Sequence, residues 1–144
     1  MTVDQLNQTT QIQYNKLKAD LPNIRTWLVR LAQTYLPKKL KKFEEQAKKP
    51  FDQLFDITLS DILTRSDGTN FYRIQLEING KIQERINQMW TNRLLNFRSS
   101  NTTQKHWIGF LSSIIDHSLN PYINGDLFNY TDALIDEYDP NDNY

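Results

Sequence analysis

IQERINQMWTNRLLNF, residues 82–97, carries the strongest pattern in the chain: Ile82, Ile86, Met89, Trp90, Leu94 and Phe97 recur at helical spacing. That spacing places them on one face and predicts a helix over 82–97 as the central element of the core. The other apolar stretches are shorter and need such a surface to bury against. Together they predict a mainly α fold: a single compact helical domain of about five or six helices, with one β-hairpin near residues 54–78 inserted before the central helix. At 144 residues the chain has the usual length of one domain, expected to span 1–144 with a frayed acidic end from about 139.

Upstream of the central stretch the period shortens. Phe55, Ile57 and Leu59 alternate with polar partners, as do Ile74, Leu76 and Ile78, and Ser66-Asp67-Gly68-Thr69 between them is turn chemistry. A hairpin is the reading; a helix over 56–64 competes, since Leu59, Ile62 and Leu63 also fit helical spacing. Asn79-Gly80 would suit a second hairpin turn, but the helical pattern begins at Ile82, which favours Asn79 as an N-cap. Downstream, the polar break from Ser99 to Thr102 offers several caps. Trp107, Ile108, Phe110, Leu111, Ile114, Ile115 and Leu119 then describe a helix ending before Asn120-Pro121, expected to pair with the central one. Leu127, Phe128, Leu134, Ile135 and Tyr138 predict a last short helix.

At the other end, apolar residues from Val3 to Tyr35 recur at steps of three or four, with Pro22 in the middle. Proline breaks a helix interior and is tolerated in a first turn, so the expectation is one helix near 4–19 and another from 22 to 36. The first has little apolar surface of its own. It lies across the core of its own chain or supplies the seam of a homo-oligomer, and Thr10, which interrupts the stripe, favours the first. Pro37 restarts the chain as KKLKKFEEQAKK, closed by Pro50, with Leu36, Leu40, Phe43 and Ala47 as a thin apolar strip. Glu44 with Lys48 and Glu45 with Lys49 are spaced for i,i+4 ion pairs.

Seventeen basic and seventeen acidic side chains balance overall, but not locally. Residues 1–50 carry ten basic and four acidic, and 101–144 one basic and seven acidic. The two ends fold together or present different faces to different partners. There is no cysteine, hence no disulfide and no thiolate metal site. The polar N-terminus predicts no signal peptide and the lack of a long apolar run predicts no membrane span, so a cytoplasmic home is expected, in which the sequons at Asn7, Asn101 and Asn129 carry no weight. Low glycine and high Asn, Gln and Lys point to an AT-rich genome, microbial or viral.

Lys38, Lys39, Lys41, Lys42, Lys48 and Lys49, with Arg25 and Arg30 upstream, are the candidates for contact with nucleic acid or another acidic partner, because ammonium groups along one face release counterions from a phosphate backbone. The plain alternative is a solvated face. Asp132, Asp136, Glu137 and Tyr138 belong to an acidic, tyrosine-bearing end suited to docking on a basic protein. Arg93 falls within the apolar sector of the central stretch and needs a carboxylate or a groove, and Leu95 on its polar side would seed a contact patch.

Chemistry finds weaker support. His106 and His117 lie about 16 Å apart along a helix, too far to share a metal, and are expected at the edge of the apolar stripe. Ser113, Asp116 and His117 have chance spacing for nucleophile chemistry. Asp61, Glu77 and Lys81 imitate a nuclease set with the wrong gap before the lysine. Four scattered glycines form no phosphate loop, and no resident metal or cofactor is implied. The expected function is therefore non-enzymatic recognition by a small accessory, inhibitor or assembly subunit. Nucleic-acid binding through residues 38–49 comes second and a metal-dependent hydrolase third.

Overall fold

The structure is a computed structural model that describes residues 2–120, so the predicted helix near 127–138, the acidic docking residues Asp132, Asp136, Glu137 and Tyr138, and the frayed end fall outside the described residues. It shows a mainly helical protein with a small antiparallel sheet. The helices are α1 (Val3–Tyr35), α2 (Pro37–Ala47), α3 (Phe51–Leu54), α4 (Gln88–Leu95) and α5 (Asn101–Leu119). The strands are β1 (Phe55–Leu59), β2 (Leu63–Thr64), β3 (Asn70–Phe71), β4 (Ile74–Ile78) and β5 (Lys81–Ile86).

Residues 82–97 do not form one helix. Their first five residues belong to β5, the third strand of a sheet ordered β1-β4-β5, and only α4 is helical. The reason lies one residue pair upstream. Asn79 and Gly80 both hold positive φ, 54° and 78°, the backbone of a two-residue type I′ turn whose twist matches paired strands. Asn79 is therefore a turn residue, and the cap of α4 is Asn87, whose side chain accepts the Trp90 N–H at 3.2 Å.

The expected hairpin is present as β1 against β4, with Phe55, Ile57 and Leu59 opposite Ile78, Leu76 and Ile74. These pairs point one way and are mostly buried, which is the alternation read from the sequence. The helix competing for 56–64 does not form. The connection holds its own small hairpin, β2 with β3, turned by Gly68 at φ 88° and by Asp67, whose carboxylate accepts from the Thr69 amide and hydroxyl. Those two bonds hold the Asp67 carboxyl below its usual pKa. Between β4 and β5 the register shifts at Leu76/Glu77, a bulge that leaves Ile82 opposite Glu77 and half exposed while Glu84, opposite Leu76, is fully buried.

α1 is one helix of 33 residues, about 50 Å long, with Pro22 inside it. Proline forfeits the bond to the carbonyl four residues back. Pro22 and Lys18 are both exposed, so water can serve the released carbonyl and no buried group is orphaned. A capping box, Thr2 with Gln5, starts the helix. From Leu17 onward α1 packs on β1, α4 and α5; before it, the helix meets the β2–β3 hairpin. The core gathers between these layers around Trp90, whose ring centroid lies 4.8 Å from Trp107 and 4.7 Å from Phe110. α5 therefore does pair with the helical part of the central stretch.

Candidate functional site

α2 is fixed by its apolar strip. Leu40 and Phe43 are buried, Leu36 and Ala47 pack beside them, and Phe43 meets Phe51 edge-on at 5.6 Å. With that stripe turned inward, the lysines divide by position. Lys39 reaches α5 and donates to the Ser112 hydroxyl at 2.7 Å and the Asp116 carboxylate at 2.6 Å. Lys38, Lys41, Lys42, Lys48 and Lys49 are exposed, and none has a carboxylate within 4 Å among the described residues.

The expected pairs Glu44–Lys48 and Glu45–Lys49 do not form, because the helix ends sooner than its charge pattern. Lys48 is the C-cap, in the left-handed region at φ 59°, which swings both terminal lysines out of the i,i+4 line. Glu44 turns instead to the next helix and accepts the Phe51 N–H at 2.9 Å, serving the start of α3. Of the aromatics near the lysines, Phe43 is buried, whereas Tyr35 is 51% exposed with its hydroxyl taking a hydrogen bond from Gln104.

Arg25 differs from the lysines with which it was grouped. Its guanidinium donates to the Phe55 carbonyl at 3.0 Å and to the Asp52 carbonyl, and lies 3.7 Å from the Asp56 carboxylate. Asp56 sits directly across the sheet from Glu77, so Arg25 offsets two like charges while tying α1 to β1. Arg30 is exposed on α1.

Arg93 and Leu95 were expected at a contact surface. Arg93 is 9% exposed, stacks 4.7 Å above the Trp90 ring and helps line a groove of about 550 Å³ with His106, Met89 and Thr103. Leu95 is partly buried against the core and seeds no exposed patch, since α4 ends at that residue and leaves it no polar side. The histidines are likewise interior, not at a stripe edge: His106 is 2% and His117 3% exposed, because α5 is covered on more than one side. Burial lowers the His117 pKa, and the Asp116 carboxylate works in the opposite direction. That carboxylate is bonded to Lys39, which disperses the Ser113, Asp116, His117 set.

Asp61, Glu77 and Lys81 are not brought together. Glu77 is opposite Asp56 and Ile82 while Lys81 is opposite Ile78, one rung on, and Asp61 lies two residues beyond the end of β1, five from Asp56. Among the described residues no group of three His, Asp or Glu side chains is placed to hold a metal ion. None of their helices is long and apolar enough to cross a membrane. Sequence reading missed a cleft beside the β2–β3 hairpin that includes Arg65 and Tyr72, whose members are brought together only by the crossing of α1. Comparison with protein-family models, curated proteins and solved structures finds no match to this chain.

Proposed function

We propose that this chain is a non-enzymatic recognition protein, a small accessory, inhibitor or assembly subunit that docks an acidic macromolecule on the lysine face of α2. The observation that carries the reading is the division of the basic residues: Lys39 and Arg25 hold the fold, whereas Lys38, Lys41, Lys42, Lys48 and Lys49 stay exposed with no carboxylate within 4 Å among the described residues. Like charges held side by side repel one another. An opposing acidic surface relieves that repulsion and steers association. Of the two acidic partners, protein fits better than single-stranded nucleic acid, because Phe43 is buried and the half-exposed Tyr35 ring is a single platform where holding a strand takes successive ones.

The test is a Lys38→Glu/Lys41→Glu/Lys42→Glu variant compared with the parent protein in affinity capture from the source cells and in titrations with duplex DNA and single-stranded RNA over a range of salt. Loss of a partner captured by the parent, with no oligonucleotide binding by either, supports the proposal. Oligonucleotide binding whose log–log salt slope falls by about one per lysine replaced transfers the face to nucleic acid. An unchanged set of captured proteins removes the role assigned to α2.

A further inference from the structure

A cleft of about 280 Å³ opens where the first half of α1 crosses the β2–β3 hairpin and the start of α4. Tyr72 lines it, ring edge-on to Tyr14 of α1 at 5.1 Å, and its hydroxyl is shut off from bulk water with no hydrogen-bond partner among the described residues. Burial raises that phenol to about 12, so it remains a proton donor throughout the neutral range. That hydroxyl has no surface open to a water-sized group, so it lies behind the cleft wall, and the donors presented to the cleft are its neighbours.

The rest of the lining has the same bias. The Asn70 side-chain oxygen accepts from the Thr64 hydroxyl and that of Asn87 from the Trp90 amide, which leaves their NH₂ groups as the ends available to a ligand. The Arg65 guanidinium lies 4.4 Å over the Phe71 ring and has no carboxylate within 4 Å among the described residues. Among the described residues no acidic side chain lines the cleft. On the other wall Leu6 is 39% exposed, an apolar surface facing the same space.

We propose that this cleft binds a small organic anion, its carboxylate or phosphate head held by Arg65 and the amide donors of Asn70 and Asn87 and its apolar body laid against Leu6 and Phe71. A planar guanidinium matches either head by paired hydrogen bonds, and a mostly preformed cleft with a few converging donors is the usual form of such sites. The site is separate from the lysine face and does not depend on it.

Benzoate and phenyl phosphate are the probes, titrated into the full chain and followed by amide chemical shifts. Binding is expected to move the resonances of Arg65, Asn70 and Tyr72, and comparison of the two probes identifies the preferred head. Arg65→Gln is expected to weaken binding about tenfold, the effect of one charged hydrogen bond. Tyr72→Phe should bind as the parent does, because the hydroxyl lies behind the cleft wall, and its thermal midpoint should hold or rise because no hydrogen bond among the described residues is lost. Lys38→Glu/Lys41→Glu should bind as the parent does, which separates this cleft from general attraction to lysines. Saturation of neither probe by about 10 mM, an affinity too weak to distinguish from nonspecific contact, overturns the proposal. So do equal affinities for the parent and Arg65→Gln.

Discussion

The two halves of α1 share one spacing and differ in what covers them. From Leu17 onward, Leu17, Ile24, Leu28 and Leu31 are 5% exposed or less, pressed between the sheet and α5. Ahead of Leu17 no described residue is buried, and Val3, Leu6 and Ile12 are 43%, 39% and 67% exposed. That first half is held by polar geometry. Asn7 donates to the Gly68 carbonyl at 3.1 Å and accepts the Asn70 amide at 2.8 Å, with Thr10 and Tyr14 adding to the seam. A repeat of three and four decides which residues share a helix face; it does not decide whether a core lies opposite.

The largest expected effect lies in the covered half. Leu28→Ala should lose about 2–5 kcal/mol in denaturant unfolding, since a fully buried leucine leaves both lost contacts and a cavity. A loss under about 1 kcal/mol would mean that this half is no better packed than the other. At the junction, Pro22→Ala should gain about 2 kcal/mol, because it restores a helical N–H and removes the ring from the preceding turn, less the extra freedom of the unfolded chain. A loss instead would show that the two halves need the proline's local geometry to reach their separate partners. The smallest effect belongs to the first half: Asn7→Ala should cost about 1–2 kcal/mol, the removal of two part-buried hydrogen bonds. Hydrogen exchange at residues 68–70 should rise before the global midpoint moves. A fall in global stability matching that of Leu28→Ala would erase the contrast.

How much of this was legible varies in the same way. α2 and α5 could be read because each carries a complete apolar face with a proline or a capping residue at its ends. β1 and β4 could be read because alternation and a turn agreed. Residues 82–86 could not, since Ile82 and Ile86 are four apart and so share a face in a helix and in a regular strand alike. The signal that could have settled it was Asn79-Gly80 placed between two alternating runs. For the candidate site, the exposed lysines followed from the apolar strip, whereas the separate task of Lys39 did not. Its partners stand 73 and 77 residues away, and only the packing of α2 on α5 brings them close. The Arg65 and Tyr72 cleft is illegible for the same reason: no stretch of chain contains it.

The bulge in β5 bears on how this chain tolerates changes in length. Gln83 is the surplus residue between Ile82, opposite Glu77, and Glu84, opposite Leu76. Excising it would leave Ile82 facing out and Glu84 and Ile86 facing in, now in plain alternation, whereas excision at most other strand positions turns every later side chain over. Position 83 is thus where an ancestor or a designer could shorten the strand by one and keep every other side chain on its own side of the sheet, at the loss of the buried Gln83 side chain itself.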